Sequence, residues 1–448
     1  MIAVARQPVD TGVNGWQAIL PDRPPRPPLT EAITADLLII GGGFAGLAAL
    51  RRFNECAPEA TVVLLEASTI GAGPAGRNSG FMIDLPHDLA SEDYGGAAQR
   101  DSLTIAQNRR AIAFALAQRD ALGMPGEAVQ PVGKVNGAAT AAGERHNADY
   151  AAHLASIGEP SESLDAAAMR ALTGCDYYRN GLYTPGTAML QPALYNRLLA
   201  DGAVESGSGR CRVFEHSGVQ QLERVGNDWC ARTEGGQVTA PTVILAVNGH
   251  VASFGFYQRQ LLHVFTYASM TRELSATEVR ALGGEPTWSL TPSDPMGTTV
   301  RRVNGAGGAR IVVRNRFTCD PSMAVSAARI ERVGQVHERA FAARFPSLRG
   351  VAMQFRWGGR LCLSWNGVST FSEPEPGLHL ACCQNGLGAA RGTVAGIAAA
   401  ERAARVNSEL AEQLEAEAAP RVLPPEPFAA LGANAVMRWK EFSAGREV

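Results

Sequence analysis

Residues 35–46 read ADLLIIGGGFAG, and this stretch predicts a strand, a tight turn and a helix that together bind a nucleotide. Residues 36–40 form a short apolar run of the kind found in strands buried on both faces. Gly41, Gly43 and Gly46 then match G-x-G-x-x-G, whose glycines permit the turn, the approach of a pyrophosphate and close packing of helix on strand. The free N–H groups of the following helix would face that pyrophosphate.

A second apolar run, residues 61–65, ends in Glu66. This acid follows Gly46 by roughly 20 residues, the spacing expected of a side chain that hydrogen-bonds a ribose hydroxyl. Strand, glycine turn, helix, strand and acid therefore occur in the order of a dinucleotide-binding unit. An ordinary strand–turn–helix of an α/β protein is the alternative interpretation.

The glycine pattern occurs again at residues 71–76, but no strand with a terminal acid follows it. Glu92 and Asp93 lie at a suitable distance without ending an apolar run, and residues 77–80 make a poor helix start. We therefore predict an irregular loop over 71–80 that can wrap a flat ligand with its backbone groups.

Three linked motifs, GGGFAG at 41–46, LLEA at 64–67 and GAGPAGRNSGF at 71–81, resemble the flavin-dependent D-amino-acid oxidase superfamily. The likeness is greatest to its branch of glycine oxidases, sarcosine oxidases and gamma-glutamylputrescine oxidoreductases. The resemblance implies an FAD cofactor with residues 77–80 near the flavin ring, and we expect this cofactor to be bound non-covalently. The amino-terminal FAD-binding residues that it implies are Gly41, Gly43, Phe44, Ala45, Gly46, Glu66, Ala67, Gly73, Gly76, Arg77, Asn78, Ser79 and Gly80.

The resemblance extends to the carboxyl-terminal third. FRWGGR at 355–360 and LHLACCQNGLGAARG at 378–392 are similar to the family's W-x-G run and to its strand that ends in a glycine-rich turn before a helix. Cys383 replaces the family's first glycine and Leu387 its usual histidine, so any role of that histidine is absent here. The further FAD-binding residues implied are Val213, Ala246, Asn248, Asn385, Gly386, Leu387 and Gly388.

The implied fold class is α/β, with a Rossmann-type FAD-binding domain of the glutathione reductase kind and an interleaved, mainly antiparallel β-sheet substrate domain. The expected ranges are 1–34 for a proline-rich N-terminal leader, 35–95, 187–254 and 355–407 for the discontinuous FAD-binding domain, 96–186 and 255–354 for the substrate domain, and 408–448 for a C-terminal helical tail.

Arg360 is a candidate for substrate binding, because it lies one residue from the position where glycine oxidases place an arginine for the substrate carboxylate. The alternative is that Arg360 is a surface arginine on a strand. This alternative would favour a polyamine-type substrate without a carboxylate. Trp357, in the same FRWGGR run, is a second candidate.

His263 and Tyr267 complete the candidate substrate-binding residues. They share one face of a predicted strand with Phe265, which fits a pocket wall or, as the interpretation that we favour, an ordinary aromatic layer. Arg314 and Arg316 alternate in the same way and are interpreted as a solvated strand edge.

Two residue types bear on the flavin chemistry. Cys362 lies near the position through which sarcosine oxidases attach their flavin, but LCLSW matches poorly and a buried strand cysteine is expected. Lys134 and Lys440 are the only lysines, and neither sits where some oxidases use a lysine to activate oxygen. The sequence is therefore compatible with an oxidase and with a dehydrogenase.

Composition bounds the class of protein. A chain of 448 residues, 46% hydrophobic and 19% charged, suits two to three globular domains. A net charge of −2 gives no reason to expect nucleic acid or an anionic membrane as a partner. The eight cysteines lack C-x-x-C spacing, so we expect no metal site. We expect a cytoplasmic protein, since no secretory signal and no apolar run of about 18 residues is present.

The expected activity is that of an FAD-dependent amine or amino-acid oxidase or dehydrogenase. The C–N bond of a small-molecule amine would be oxidised by hydride transfer to flavin N5, and the imine would then be hydrolysed. No side chain presents itself as an obligatory base, so the catalytic residues are not identified. Two alternatives are an NAD-dependent dehydrogenase, which shares only the first motif, and a non-catalytic or partner-dependent flavin subunit of a larger amine dehydrogenase complex. The substrate, the electron acceptor and the oligomeric state do not follow from the sequence.

Overall fold

The structure, a computed structural model, describes residues 1–86 and 98–448. Its strands are β1 (Ile2–Ala3), β2 (Ala32–Thr34), β3 (Leu37–Ile40), β4 (Val62–Leu65), β5 (Phe81–Met82), β6 (Val129–Gln130), β7 (Lys134–Ala138), β8 (Glu162–Leu164), β9 (Asn180–Thr184), β10 (Ala188–Leu190), β11 (Cys211–Phe214), β12 (Gln221–Val225), β13 (Asp228–Arg232), β14 (Gln237–Ala240), β15 (Thr242–Leu245), β16 (Leu261–Thr271), β17 (Trp288–Pro292), β18 (Thr299–Gly305), β19 (Gly308–Cys319), β20 (Met353–Ser364), β21 (Thr370–Glu375) and β22 (Leu378–Cys382). Its α-helices are α1 (Gly15–Ala18), α2 (Phe44–Cys56), α3 (Pro74–Arg77), α4 (Ala98–Ala121), α5 (Ala141–Ser156), α6 (Ala166–Thr173), α7 (Pro192–Ser206), α8 (Ala276–Leu282), α9 (Ala327–Arg344), α10 (Gly388–Ala403), α11 (Glu409–Glu415) and α12 (Phe428–Ala444). None of these helices has the length and apolar character needed to cross a membrane.

The apolar runs beside the glycine turn form the centre of a six-stranded sheet in the order β11-β4-β3-β15-β22-β21. Neighbouring strands are parallel, except that β21 is antiparallel to β22. β3 and β4 are buried throughout, because helices α2, α7 and α10 cover one face and a five-stranded sheet, β1-β12-β13-β14-β2, covers the other. Since parallel strands end at one edge, the loops that follow β3, β4, β15 and β22 meet there.

A second large sheet has eight strands in the order β20-β16-β19-β18-β17-β7-β9-β8, all antiparallel to their neighbours except β17 with β7. Phe341 of α9 and Phe345, which follows this helix, pack on the sheet beside Trp288. β19 is an interior strand with partners on both sides. The interpretation of Arg314 and Arg316 as a solvated edge is therefore wrong.

The first 34 residues are built into the fold. β1 pairs with β12 and β2 with β14, and the buried indole of Trp16 donates a hydrogen bond to the carbonyl of Asn78 at 2.8 Å. The proline-rich run 21–28 has neither helix nor strand, as expected, and Arg23 anchors it by an ion pair of 2.6 Å with the buried Glu215. The leader thus contributes core contacts that its composition did not predict.

The segment expected to open the substrate domain contains helices α4, α5 and α6. The predicted boundary at 95, Glu92 and Asp93 lie outside the described residues. β20 lies in the eight-stranded sheet and crosses the boundary expected at 355. The domain ranges as a whole stay a prediction.

Candidate functional site

A deep cleft runs along the edge where the parallel strands end and continues beneath the eight-stranded sheet. Its walls come from the loops after β3, β4, β15 and β22, from residues of β5, β17, β18, β19 and β20, and from the N-terminal segment. Segments that are far apart in the chain therefore meet at one site.

The glycine turn after β3 has the geometry that its pattern predicts. Gly41 has φ +104°, and a Cβ on Gly46 would lie 1.8 Å from the Gly41 carbonyl oxygen. By contrast, a Cβ on Gly43 would meet only Ala75, at 3.5 Å. Helix α2 starts at Phe44 without a side-chain cap, so its first N–H groups are free for an anion in the cleft. Gly41, Gly43, Phe44 and Ala45 line the cleft, whereas Gly46 supports the turn from behind.

Glu66 ends β4 and lines the cleft together with Ala67. Its carboxylate accepts hydrogen bonds from the N–H groups of Gly42 at 2.8 Å and Ser68 at 2.9 Å. Burial raises the pKa of Glu66 in spite of these bonds. A carboxylate oriented in this way retains lone pairs for a hydroxyl group of a ligand.

The segment 71–80, predicted as an irregular loop, contains the short helix α3, and it contributes Gly73, Asn78 and Ser79 to the cleft. Gly76 and Gly80 instead permit close packing, since a Cβ on Gly76 would lie 1.8 Å from the Gly71 carbonyl oxygen and one on Gly80 would lie 2.0 Å from the guanidinium of Arg301.

Arg77 does not line the cleft. Its guanidinium donates hydrogen bonds to backbone carbonyls of the loop, the N-terminal segment and β20, at Ala72, Asp10, Thr11, Gly12 and Gly358. Burial lowers the pKa of Arg77, and the five carbonyls satisfy its donors. Arg77 therefore ties three segments together behind the cleft.

After β15, Ala246 and Asn248 line the cleft, as does Val247. Val213 does not, because it is enclosed in the core between the sheet and the helices. Val219, six residues later, lines the cleft instead. The role of Val213 in FAD binding therefore stays a prediction.

The carboxyl-terminal turn brings Gly386, Leu387 and Gly388 to the cleft wall. Asn385 lies behind them, where its side chain accepts a hydrogen bond from the Ser364 N–H at 2.8 Å and donates one to the Val368 carbonyl at 2.7 Å. Helix α10 starts without a side-chain cap, as α2 does, so a second set of free N–H groups is available.

Arg360 is the only one of the four candidate substrate-binding residues that lines the cleft. It donates a hydrogen bond to the Met323 carbonyl at 3.0 Å and lies 3.5 Å from the carboxylate of Asp10. Burial lowers its pKa. Its charge is therefore already paired within the protein.

Trp357, Tyr267 and His263 lie within the walls. The Trp357 indole donates a hydrogen bond of 2.9 Å to the Arg77 carbonyl, and the Tyr267 hydroxyl shares one of 2.6 Å with Thr318. Tyr267 belongs to an apolar cluster beneath α9, which fits the aromatic-layer interpretation. Burial lowers the pKa of His263 to about 4, so that this ring is neutral at physiological pH.

Sequence reasoning missed two sets of cleft residues. One is the N-terminal segment, from which Val4, Arg6, Gln7, Pro8 and Asp10 line the cleft. The other lies on the eight-stranded sheet and comprises Thr291, Pro292, Thr299 and Arg314. Only the period-two alternation of Arg314 with Arg316 pointed to the second set.

Cys362 also lines the cleft. A hydrogen bond with Cys383 and burial both raise the pKa of its thiol, which keeps it protonated. A protonated thiol is a weak nucleophile.

Comparison with known proteins gives one consistent result. The family described as FAD dependent oxidoreductase (DAO) matches residues 36–402. The chain is 23% identical over 423 residues to a probable oxidoreductase OrdL of Rhizobium meliloti, covering 90% of this chain and 91% of that one. It is 25% identical over 364 residues to the gamma-glutamylputrescine oxidoreductase of Escherichia coli, covering 78% and 79%.

Solved structures share the fold. Glycine oxidase from Geobacillus kaustophilus superposes with a TM-score of 0.67 at 18% identity, covering 84% of this chain and 96% of that one. L-Amino acid deaminase from Proteus myxofaciens gives 0.66 at 14% identity, covering 92% and 97%.

Proposed function

The chain belongs to the DAO family of FAD-dependent oxidoreductases, and from this premise we propose that it oxidises the carbon–nitrogen bond of an amine or amino acid. The observation that carries the proposal is the cleft itself, in which a dinucleotide cradle and a chamber beneath the eight-stranded sheet form one continuous space. The similar proteins, which include a gamma-glutamylputrescine oxidoreductase and a glycine oxidase, support the same class of substrate.

The residues of the cleft fit FAD. We assign the pyrophosphate to the free N–H groups of α2, where Gly43 leaves open space, and a ribose to Glu66. The flavin ring would lie against Asn78, Ser79 and the turn before α10. We propose non-covalent binding, because the Cys362 thiol is held protonated.

When bound, FAD supplies a hydride acceptor at N5. The residues of this chain supply the environment for that transfer. Phe81, Ile83, Pro292 and Pro295 form an apolar wall that excludes water and orients the substrate beside the ring.

Substrate must bind as the neutral amine for its α-hydrogen to leave as hydride. Positive charges disfavour an ammonium group, and the guanidinium groups of Arg314 and Arg360 line the same cleft. His250 also lines it, but burial lowers its pKa to about 3, so it is a weak base at neutral pH. The imine product would leave the apolar wall and be hydrolysed in water.

The test is anaerobic mixing of the purified, desalted holoprotein with a panel of primary and secondary amines and amino acids. Bleaching of the flavin absorbance by one of them is expected. A coloured protein that no amine bleaches would contradict the proposal and would favour a flavin subunit that acts only within a larger complex. Oxygen consumption, compared with reduction of an artificial dye, then separates oxidase from dehydrogenase.

A further inference from the structure

Helix α12 presents a large apolar face to solvent. Five of the fourteen large hydrophobic side chains that are exposed in the described part of the chain lie on this helix, and their exposed fractions run from 53% to 85%. They are Phe428, Leu431, Val436, Trp439 and Phe442. With about 100° of rotation per residue, these side chains fall on one arc of about 140° of the helix surface. Exposed apolar area that is concentrated in this way marks a binding surface.

The opposite face of α12 fixes the helix to the eight-stranded sheet. The Asn434 side chain accepts a hydrogen bond from the Cys319 N–H at 3.0 Å and donates one to the Cys319 carbonyl at 2.9 Å. The buried Glu441 accepts a hydrogen bond from the Phe317 N–H at 2.9 Å and forms an ion pair of 2.7 Å with Arg316. The helix therefore cannot turn its apolar face inward without breaking these bonds.

Basic residues border the apolar arc on both sides. Arg438 and Lys440 lie within about 40° of its two edges. The only acidic residue of the helix, Glu441, is buried on the face that contacts the sheet. Glu426, an acid just before the helix, accepts a hydrogen bond from the Ala430 N–H at 3.2 Å. The charged residues at the edges of the arc are thus both positive.

This arrangement fits an anionic lipid surface better than a second copy of the chain. Apolar and aromatic side chains of such a helix enter the boundary between head groups and acyl chains, while the flanking basic residues contact anionic head groups. In a symmetric contact between two copies, the basic edges of one helix would lie near those of the other, and like charges disfavour that contact.

We propose that α12 docks the protein on an anionic membrane surface, with the helix axis parallel to the surface. This inference goes beyond the proposed function and does not depend on the reaction. Met437 and Ala444 of α12 belong to one apolar cluster with Leu361, a residue of β20 that lines the cleft. Docking therefore holds the cleft close to the lipid surface.

The test is cosedimentation of the FAD-loaded protein with lipid vesicles. One set of vesicles consists of phosphatidylcholine alone, and the other contains about 30% phosphatidylglycerol. The wild type is expected to bind the anionic vesicles saturably and to bind the neutral vesicles at least about fivefold more weakly. High salt should release it from the anionic vesicles, because salt screens the attraction between exposed charges.

Three variants locate the contact. The double variant Trp439→Gln with Phe442→Gln should lower the vesicle partition coefficient at least about tenfold, because it removes two of the inserted aromatic side chains. Lys440→Gln should lower it about fivefold on anionic vesicles only. Val225→Gln is the matched control, since this exposed side chain lies on β12 of the five-stranded sheet, and it should bind as the wild type does. FAD content and the thermal melting temperature identify any loss of fold.

A wild type that binds neither kind of vesicle overturns the proposal, as does equal binding by the wild type and the double variant. Analytical ultracentrifugation without lipid tests the other occupant. A wild-type dimer that becomes a monomer in the double variant would show that a second copy covers α12, and it would overturn the proposal. Failure to bind vesicles leaves the proposed function standing, and a flavin that no amine bleaches leaves this inference standing.

Discussion

The carboxylate of Asp10 lies 3.5 Å from the guanidinium of Arg360, which joins the N-terminal segment to the wall of the cleft. Both side chains are largely shielded from solvent, with exposed fractions of 14% and 4%. The pair therefore ties the N-terminal segment to one side of the cleft and matches the Arg360 charge within the protein.

Asp10→Asn should lower the free energy of unfolding by about 2 kcal/mol, because it leaves the Arg360 charge buried without its partner. Chemical denaturation measures the change. In the Asp10→Asn background, Arg360→Met should cost at least about 1 kcal/mol less than in the wild type, since the two residues interact. Additive effects of the two substitutions would contradict the pairing.

Gly46→Ala should impair folding, whereas Gly43→Ala should impair only FAD binding. A Cβ on Gly46 would collide with the Gly41 carbonyl, so Gly46→Ala should lose both FAD and thermal stability. A Cβ on Gly43 meets only Ala75 at 3.5 Å, so Gly43→Ala should fold normally. Its methyl group would occupy the space assigned to the pyrophosphate, and the dissociation constant for FAD should rise at least about tenfold. Titration of the apoprotein with FAD measures this, and equal FAD affinity in Gly43→Ala and the wild type would rule out the assignment.

Glu66→Gln should weaken FAD binding by roughly tenfold. The carboxylate accepts hydrogen bonds from the N–H groups of Gly42 and Ser68. An amide nitrogen in place of one oxygen would either face one of these N–H donors or remove the acceptor assigned to the ribose hydroxyl. Fluorescence quenching of added FAD gives the affinity. The exposed Glu59→Gln is the control and should leave the affinity unchanged.

Acid sensitivity should depend on His337. This ring accepts or shares a hydrogen bond with the Ser269 hydroxyl at 2.7 Å, and burial lowers its pKa to about 3. The unfolded chain binds a proton there below its ordinary pKa of 6.5, and the folded chain does so only near 3. The free energy of unfolding should therefore fall as the pH decreases from 6.5 toward 3, by up to about 1.4 kcal/mol per pH unit from this group.

Denaturation at several pH values between 7 and 4 tests the role of His337. His337→Gln should give a shallower fall in stability than the wild type over this range, even though it loses some stability at neutral pH. The exposed His216→Asn should keep the wild-type slope. A wild-type slope in His337→Gln would show that folding does not lower the pKa of this ring.

The dinucleotide cradle was predictable because its determinants are local. The run at 37–40, the glycines at 41, 43 and 46 and the acid at 66 lie within one strand–turn–helix–strand unit, and each residue type is required by backbone geometry or by a nearby N–H group. The fold class follows from the same unit and from the resemblance of the later motifs.

Arg77 and Val213 do not line the cleft, because a motif does not specify which side of a loop or strand faces the ligand, and their contacts with FAD stay predictions. Arg77 belongs to a motif near the flavin, yet three chain segments place their carbonyls around its guanidinium. The Val213 side chain is enclosed in the core between the six-stranded sheet and the helices. In both positions, packing by distant residues decided the outcome.

The amino-acid sequence by itself determined the nucleotide-binding unit and the family, because glycine geometry, apolar periodicity and the spacing of one acid are properties of neighbouring residues. The tertiary structure alone decided which arginine is free. Arg314 and Arg360 both sit on β-strands that face the cleft, and their local sequences do not distinguish them. The fold places Asp10 against Arg360 and leaves Arg314 without a described anionic partner, because a salt bridge depends on which distant segment packs against the strand.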